Sequence, residues 1–292
     1  MGRFDFMKII ITGSSGFIGG HLTSFLSGAG YDVIEADITS GCDVTKWDDV
    51  AQLPAAEYVV HLAAITHVEK SYQMPRGMYT VNIQGTLNML EYCRVQKASM
   101  IFNSSYVYGQ PKYFPIDEEH PLESFNPYSQ SKIIGEKLCQ SYYRDFQVPA
   151  IIFRPFNIYG RNQTPNFLIP GIIEQIRNKQ TITLQNPHPK RDYVYIDDLM
   201  QAYLMAIRSG RKSAYDIYNI GTGKSYSAKE IAEKIVALSK IKAEIRFSGA
   251  SRKSEVLDTV ADAKKIREQL GWSPGFSLED GLKDLLNKNG LL

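Results

Sequence analysis

Residues 8–19 read KIIITGSSGFIG, an isoleucine-rich run that passes directly into a glycine-rich turn. The β-branched residues predict a short strand buried on both faces, and residues 20–26 predict a helix. Glycines would let the backbone approach a pyrophosphate, and the start of the helix offers unpaired N–H groups and positive potential. A strand, a glycine turn and a helix in this order predict a dinucleotide-binding unit, with an ordinary turn as the alternative.

A carboxylate follows the second predicted strand, Asp32–Ala36, which ends at Asp37, 18 residues beyond Gly19. A carboxylate at this offset can accept hydrogen bonds from both ribose hydroxyls and would repel a 2′-phosphate. No arginine follows it, because the next residues are Ile38 and Thr39. The pattern therefore favours NAD over NADP, with Asp37 as a simple turn residue as the alternative.

Further apolar runs alternate with helical patterns along the first half of the chain. Strands are predicted at residues 58–64, 100–105 and 150–155, and helices at 81–94 and after Pro127. This alternation predicts an α/β fold of the Rossmann type with a parallel, doubly wound sheet. Ligands of such sheets bind beyond the carboxyl ends of the strands, where the glycine turn, Asp37, Ala63-Ala64, Ser104 and Arg154-Pro155 would all lie.

The pattern changes after about Tyr159, which predicts a second, smaller and discontinuous α/β domain. Residues 1–158 are expected to form the dinucleotide-binding domain, with a return segment near residues 190–222, and residues 159–292 mainly the substrate domain. Within the second part the sequence predicts a loop at 163–170, helices at 171–178, 227–238 and 277–286, strands near Ile182 and Tyr193 and at 243–247, and a strand at 215–220 that returns to the main sheet. Ser277 is expected to cap the last helix, with Asp280 at its third position.

Tyr128 and Lys132 are four residues apart in the segment NPYSQSK, residues 126–132. Pro127 suits the first position of a helix, so the two side chains would share one helical face. A phenol is a weak base near neutral pH, but an adjacent ammonium favours the phenolate. The pair predicts a proton carrier for a sugar or alcohol hydroxyl; an ordinary helix with exposed Tyr and Lys is the alternative.

Composition excludes several other classes of protein. The 33 basic and 31 acidic residues of this 292-residue chain leave a net charge of +2 with no block of like charge, so neither nucleic acid nor an anionic membrane is an expected partner. No apolar run reaches the length of a membrane span. The three cysteines, Cys42, Cys93 and Cys139, fit no metal or disulfide spacing and predict a cytoplasmic protein. His61 is expected to be structural, and no metal is expected at His67 or His120.

Three features of the second half could hold an anionic substrate: Arg191 with Asp192-Tyr193, the pair Arg252-Lys253, and Asn157. Arginine forks match the geometry of phosphate groups. Solvated surface arginines are the alternative.

Taken together, the motifs resemble those of the extended branch of the short-chain dehydrogenase/reductase superfamily, the nucleotide-sugar epimerase and dehydratase group. The resemblance covers nearly the whole chain and rests on residues 12–19 (TGSSGFIG), 61–64 (HLAA), Ser104 with 107–109 (VYG), 128–132 (YSQSK), 154–157 (RPFN) and 191–197 (RDYVYID). It implies an NAD-dependent enzyme that acts on a nucleoside-diphosphate sugar. It also implies a homodimer, paired through the helices after Asn82 and Tyr128 into a four-helix interface.

The resemblance also implies a role for individual residues. Ser104 would bond the substrate oxygen, Tyr128 would be the base, and Lys132 would hold the nicotinamide ribose and lower the pKa of the phenol. Cofactor-binding residues would be Gly13, Gly16, Phe17, Ile18, Gly19, Asp37, Asp43, Val44, Leu62, Ala63, Ala64, Thr66, Asn82, Tyr128, Lys132, Pro155 and Phe156. Substrate-binding residues would be Ser104, Ser105, Asn157, Asn166, Phe167, Leu168, Arg191 and Arg252.

The departures from the family pattern bear on the reaction. Family 4,6-dehydratases carry Asp-Glu directly after the active hydroxyl, where this chain has Ser105 and Tyr106, so the dehydratase and decarboxylase readings lose support. Residues 251–255 read SRKSE where relatives carry a PxRxGD-like signature, which weakens the transfer of that role to Arg252. The prediction is a nucleotide-sugar 4-epimerase that oxidises carbon 4 transiently. The alternatives are a reductase of a 4-keto-6-deoxy sugar and a non-catalytic NAD-binding regulator, and neither the base nor the sugar is specified.

Overall fold

The computed structural model describes residues 7–124, 126–179, 181–210, 215–250 and 255–292. Its strands are β1 (Lys8–Thr12), β2 (Asp32–Ala36), β3 (Tyr58–His61), β4 (Ser99–Asn103), β5 (Ala150–Pro155), β6 (Asn157–Tyr159), β7 (Thr181–Leu184), β8 (Lys190–Tyr195), β9 (Tyr215–Ile220), β10 (Ser225–Ser227) and β11 (Glu244–Phe247). Its α-helices are α1 (Phe17–Gly28), α2 (Trp47–Ala51), α3 (Val68–Gln73), α4 (Pro75–Tyr79), α5 (Gly85–Gln96), α6 (Pro127–Phe146), α7 (Leu168–Lys179), α8 (Ile196–Arg208), α9 (Ala228–Ser239), α10 (Lys264–Leu270) and α11 (Leu278–Lys288). A 3₁₀ turn spans Ile38–Ser40, and a π-helical turn spans Thr80–Gln84.

The main sheet has six strands in the order β2-β1-β3-β4-β5-β9. Strand β1 pairs in parallel with both β2 and β3, and the parallel pairing continues through β4 to β5. The predicted Rossmann-type α/β fold is confirmed, and so is the return of Tyr215–Ile220 to this sheet. The strand order reverses direction at β1 and β3, and in sheets of this kind ligands bind beyond the carboxyl ends of the strands at that point.

The chain forms two compact units. The first contains residues 1–109, 122–155 and 200–218, and the second contains residues 110–121, 156–199 and 219–292. The sequence-based boundary differs in three places. Residues 110–121, which follow Gly109, and residues 156–158 belong to the second unit, and the segment that returns to the first unit is 200–218 rather than 190–222. Local patterns do not reveal which unit a short loop such as 110–121 packs against.

The first unit is built around the β-branched and aromatic side chains of its central strands. Ile10, Val59, Met100, Phe102 and Ile152 come from the four strands β1, β3, β4 and β5 and are all at most 1% exposed, in one cluster with residues of the helices α5 and α6. Strands that are buried on both faces carry nearly continuous apolar runs, which is why the sequence predicts them without periodic patterning.

The second unit contains a three-stranded sheet in the order β10-β8-β6 and a parallel pair of β11 with β7. Helix α9 packs against α7 and α11. Ser277 caps α11 in a reciprocal arrangement with Asp280, as predicted, and Ser227 caps α9 in the same way. Among the described residues, no helix is both long enough and apolar enough to cross a membrane.

Some predicted elements have other bounds in the structure. The predicted helix at 81–94 is part of a longer helical run that begins with α4 and ends with α5. Between them, Thr80–Gln84 form a π-helical turn. Helix α7 begins at Leu168, so the predicted loop at 163–170 ends early. Helix α8 was not predicted, although its first turn contains the acidic residues Asp197 and Asp198, which favour a helix N-terminus.

Candidate functional site

The glycine turn after β1 is packed so closely that two of its glycines cannot carry a side chain. A Cβ atom on Gly13, whose φ is 68°, would lie 2.8 Å from the backbone nitrogen of Ala63, and one on Gly19 would overlap the Gly13 carbonyl oxygen. Gly16 precedes α1 without a side-chain cap, and Phe17 and Ile18 open that helix half-buried. The Ser14 hydroxyl is buried and has no hydrogen-bond partner in the described ranges. A tight turn with uncapped helical N–H groups and an unused hydroxyl fits a dinucleotide pyrophosphate.

Asp37 follows β2 and carries a charged, accessible carboxylate. One oxygen accepts hydrogen bonds from the Thr39 backbone N–H at 2.9 Å and from the Thr39 hydroxyl at 2.8 Å, and the other accepts from Ser15 N–H at 3.2 Å. Although burial acts to raise it, these hydrogen bonds hold the pKa of Asp37 below its usual range. Asp37 is therefore a turn residue that caps Ile38–Ser40 and a carboxylate that is ready to accept from ribose hydroxyls.

The loop at Asp43-Val44 is held rigidly beside the same edge. The Asp43 carboxylate accepts from the backbone N–H and the hydroxyl of Thr45, and Asn88 donates to the Val44 carbonyl at 2.8 Å. Val44 is buried against Gly85, and a Cβ atom on Gly85 would lie 2.8 Å from a methyl group of Val44. The adenine contact expected of Asp43 and Val44 stays a prediction.

The loop after β3 is shaped by hydrogen bonds from two elements of the first unit, the end of β1 and the π-turn. Leu62 and Ala63 donate their N–H groups to the Thr12 hydroxyl at 3.1 Å. The Asn82 side chain accepts from Ile65 N–H at 2.8 Å and donates to its carbonyl at 3.1 Å. Asn82 is 2% exposed, so the structure makes it a support of the loop rather than part of the cofactor-facing surface that the sequence predicted.

The remaining residues of this loop are more open. Ala64 is half-buried and Thr66 is exposed, which leaves both accessible to a ligand. Pro155, the last residue of β5, is buried in the first unit. Their predicted contacts with the cofactor stay predictions.

Tyr128 and Lys132 lie one turn apart near the start of α6, where Asn126 caps the helix and Pro127 takes its first position. Lys132 is 3% exposed, and its ammonium donates a 2.8 Å hydrogen bond to the Asn103 carbonyl, 4.9 Å from the centre of the Phe102 ring. Burial lowers the pKa of Lys132 to about 8, against the opposing influence of Cys139 and Glu136.

The pKa of the Tyr128 phenol shifts in the direction opposite to the one expected. Burial raises the pKa of Tyr128 to about 12, and the nearby Ser105 hydroxyl opposes that rise. The Lys132 ammonium is bound to the Asn103 carbonyl instead. The expectation that Lys132 lowers the pKa of this phenol is therefore not met in the structure. The helical spacing places the two side chains one turn apart, but it does not show that the ammonium binds another partner.

Ser104 is not available to a substrate in this structure. Its hydroxyl donates to Glu136 Oε1 at 2.5 Å, and Glu136 pairs with Arg154 at 2.7 Å. Arg154 also donates to the Tyr108 hydroxyl at 3.0 Å, and all four residues are at most 3% exposed. Although burial opposes it, pairing with Glu136 raises the pKa of Arg154, so the guanidinium stays charged.

Ser105 is the serine that lies beside Tyr128. Its hydroxyl is buried and makes no hydrogen bond of good geometry in the part of the chain that the structure describes. The family resemblance had instead implied this position for Ser104. Ser104 N–H still pairs with the Phe153 carbonyl and continues the strand, so Ser105 is the first residue beyond it.

The second unit holds five of the predicted substrate residues, Asn157, Asn166, Phe167, Leu168 and Arg191, and the predicted cofactor residue Phe156. Asn157 begins β6, pairs with Tyr193 of β8 and donates to the Asp192 carbonyl at 3.4 Å. Arg191 donates to the carbonyls of Lys190 and Val256 at 2.8 and 2.7 Å. Phe156 is buried, Asn166 and Phe167 are exposed directly before α7, and Leu168 begins that helix. Arg252 and Lys253 lie outside the described residues.

Asp192, which the sequence analysis grouped with the anion-binding arginine, is a structural residue. It is fully buried, and its carboxylate accepts hydrogen bonds from Thr222 N–H and hydroxyl, Gly223 N–H and Ala261 N–H at 2.6 to 3.2 Å. Four donors to one carboxylate can compensate the desolvation of its charge. The glycines of the segment 221–223 were the signal that could have indicated this close approach.

A parallel sheet with a glycine turn and a ribose-type carboxylate beyond adjacent strand ends defines a dinucleotide-binding α/β protein. The chain belongs to the NAD dependent epimerase/dehydratase family, whose model matches residues 9–221. The protein is an NAD-dependent enzyme of that family. The close-packed turn at Gly13 and the carboxylate of Asp37 are suited to binding this cofactor.

Individual relatives have different activities. The chain is 33% identical to a protein provisionally named UDP-glucose 4-epimerase in Methanocaldococcus jannaschii, over 96% of this chain and 97% of the relative. It is 28% identical to GDP-6-deoxy-D-mannose reductase of Pseudomonas aeruginosa, over 96% of both chains. The crystal structure of UDP-glucose 4-epimerase from Thermotoga maritima with UDP-glucose superposes with a TM-score of 0.91 at 28% identity, over 97% of this chain and 99% of the other.

Proposed function

We propose that this protein is an NAD-dependent 4-epimerase of a nucleoside-diphosphate sugar. The observation that carries the proposal is the position of the Ser105 hydroxyl beside Tyr128, in a loop that has no carboxylic acid from Ser104 to Gly109. Epimerisation needs one group that removes and returns a hydroxyl proton, whereas elimination of water also needs an acid for the leaving group. The similarity to UDP-glucose 4-epimerases supports the same reading.

Glu136 lies near this loop but is unsuited to the role of such an acid. Its two oxygens accept three hydrogen bonds from Arg154 and one from Ser104, and its side chain is 3% exposed. These four hydrogen bonds already occupy both oxygens of the buried carboxylate, which leaves neither oxygen free to face a leaving hydroxyl. This pairing argues against the dehydratase alternative.

The roles of the chain's own residues follow from this arrangement. Ser105 would hold the oxygen on carbon 4 of the sugar by a hydrogen bond, and Tyr128 would take its proton and later return it. Lys132 would fix the nicotinamide ribose from its place on the Asn103 carbonyl. Bound NAD supplies the acceptor and then the donor of the hydride at carbon 4. Asn157 and Arg191 of the second unit would bind the diphosphate and nucleotide parts, with Asn166, Phe167 and Leu168.

The experiment is to purify the protein, release its cofactor by denaturation and identify it by mass spectrometry. The native protein is then incubated with UDP-, GDP- and dTDP-sugars without added cofactor, and the epimer ratio is followed by NMR. Retained NAD and interconversion of two epimers support the proposal. Tyr128→Phe serves as the control, and a function that survives this change would identify a non-catalytic NAD-binding protein instead.

A reductase of a nucleotide 4-keto-6-deoxy sugar is the second candidate, favoured by the similarity to GDP-6-deoxy-D-mannose reductase. Such an enzyme would consume external NADH or NADPH in proportion to the keto sugar reduced. Stoichiometric cofactor oxidation without epimer exchange would establish the reductase and contradict the epimerase.

The proposal includes a cytoplasmic homodimer. Helices α5 and α6 pack together, and Val95 and Phe146 near their C-terminal ends are about half exposed. The three cysteines are free and buried, which agrees with a reducing compartment. Light scattering on the purified protein tests the dimer, and charged substitutions at Val95 and Phe146 should dissociate it.

A further inference from the structure

A chain of buried polar side chains crosses the first unit beneath the glycine turn. The Thr12 hydroxyl lies 2.7 Å from His61 Nδ1, and His61 Nε2 lies 3.1 Å from the Thr86 hydroxyl. Thr12 and His61 face each other in the register of β1 and β3. All three side chains are at most 1% exposed, so each polar atom depends on these partners.

The direction of each hydrogen bond follows from counting donors and acceptors. The Thr12 hydroxyl already accepts from Leu62 N–H and Ala63 N–H, so its own proton must go to His61 Nδ1. His61 is then protonated on Nε2 and donates to Thr86. The Thr86 hydroxyl donates in turn to the Asn82 carbonyl at 2.7 Å. All the hydrogen bonds in this series therefore run in one direction, from Thr12 towards Asn82, and His61 has a single tautomer.

The same path continues from Asn82 to the helix that carries Tyr128. The Asn82 amide donates to the Ser131 hydroxyl at 2.8 Å, and Ser131 donates to the Tyr128 carbonyl at 2.7 Å. Asn82 lies in the π-turn, a local deviation from the α-helix that places this side chain between Ile65 and Ser131. The path thus links the end of β1 to the residue proposed as the base.

We propose that His61 is a positioning residue, which holds the Tyr128 helix in register with the glycine turn through Thr12, Thr86, Asn82 and Ser131. The inference rests on the proposed function of Tyr128. An imidazole with two directed hydrogen bonds fixes the distance between two backbone segments, whereas an apolar side chain of similar volume would fill the same space without fixing it. Displacement of a catalytic group by about 1 Å can lower a rate by roughly a hundredfold.

The test uses variants that remove the two bonds separately. His61→Asn retains an amide group near the Nδ1 position, His61→Gln retains one near the Nε2 position, and His61→Leu removes both bonds. Thr86→Val removes the acceptor at the far end. Thr23→Val is the matched control, because the buried Thr23 hydroxyl has no partner in the described ranges and lies on α1 outside the chain of bonds.

We expect His61→Leu to retain NAD and substrate KM but to lose about tenfold or more in kcat. His61→Gln, which can still donate to Thr86, should recover part of kcat, and Thr23→Val should equal wild type. In a double-mutant cycle, Thr86→Val should cost less in the His61→Leu background than in wild type. Unchanged kcat in folded His61→Leu protein, or independent effects of His61 and Thr86, would overturn the proposal.

A second readout does not require any epimerase activity. The ultraviolet titration of the Tyr128 phenol, taken as the difference between each protein and its Tyr128→Phe derivative, reports the surroundings of that ring directly. His61→Leu should shift its midpoint, and Thr23→Val should not. If wild type retains NAD but converts no sugar, the proposed function fails while this titration still decides the role of His61. An identical midpoint in both proteins contradicts that role.

Discussion

The Ser104 hydroxyl donates to Glu136 Oε1 across 2.5 Å, and this bond commits it to the buried ion pair of Glu136 with Arg154. Its neighbour Ser105 has no such bond and lies beside Tyr128. The two adjacent serines therefore have different surroundings: Ser104 belongs to the buried ion-pair network, and Ser105 lies beside the proposed base.

Exchanging each serine for alanine separates these functions. Ser104→Ala should lower the free energy of unfolding by about 1.5–3 kcal/mol, because it removes a hydrogen bond to a buried charge. Ser105→Ala should leave that free energy nearly unchanged and lower kcat by about 10²-fold, because Tyr128 loses its companion hydroxyl. Urea titration and steady-state kinetics on both variants provide the measurement. Loss of kcat in Ser104→Ala with full activity in Ser105→Ala would reverse the assignment.

The burial of the ion pair predicts that removing one of its charges destabilises the protein more than removing both. Glu136→Leu should destabilise the protein by about 3–5 kcal/mol, because Arg154 would remain buried without a counter-charge. The double variant Glu136→Leu/Arg154→Met removes both charges and should be more stable than the single variant. Urea unfolding of the three proteins checks this order. A double variant that is less stable than Glu136→Leu would show that the unpaired Arg154 charge is not what destabilises the single variant.

These residues also show what the sequence could and could not predict. The strands Asp32–Ala36 and Ala150–Pro155 were predicted with the bounds that the structure shows, because β-branched runs between turn signals depend on local composition. The glycine turn and the spacing of Tyr128 and Lys132 are likewise local. The structural role of Ser104 depends on Glu136, which is 32 residues further along the chain, and on Arg154, which lies on another strand. No local sequence pattern could reveal these partners.

The same limit applies to Asn82 and Asp192. Both are polar residues in motifs that predict ligand contacts, and both have their hydrogen-bonding capacity filled by the protein: Asn82 by Ile65 and Ser131, Asp192 by backbone N–H groups. Sequence identifies a polar residue near a site, but only the fold shows whether a ligand or the backbone is its partner.

The charge of Asp37 should make the protein bind NAD more tightly than NADP. Its carboxylate is charged, since hydrogen bonds from Thr39 and Ser15 hold its pKa low, and it would repel a 2′-phosphate. Asp37→Asn keeps the shape but removes the charge, so the ratio of the dissociation constants for NADP and NAD should fall by about tenfold. Fluorescence titration of both cofactors on wild type and variant measures the ratio. A ratio that does not change would remove Asp37 from the ribose site.

Burial of neutral His61 should make the free energy of unfolding decrease in acid. Burial, with a smaller contribution from the Lys132 charge, lowers the pKa of His61 from 6.5 to about 3 in the folded protein. The unfolded chain therefore binds a proton below about pH 6.5 that the folded protein does not bind until about pH 3, so stability is complete above this window and falls as the pH decreases through it. Between about pH 7.5 and about pH 5 this one group should cost about 2 kcal/mol.

The comparison with His61→Gln isolates that cost, since every other titrating group is common to both proteins. Urea unfolding at the two pH values should show that wild type loses about 2 kcal/mol more than the variant on acidification, although wild type is the more stable protein at neutral pH. Equal losses in the two proteins would mean that folded His61 takes up its proton over the same pH range as unfolded His61 and is protonated at about pH 5. It would then donate from both ring nitrogens, and the series of hydrogen bonds that runs in one direction from Thr12 to Thr86 could not exist, because Thr12 would have to accept three hydrogen bonds with two lone pairs.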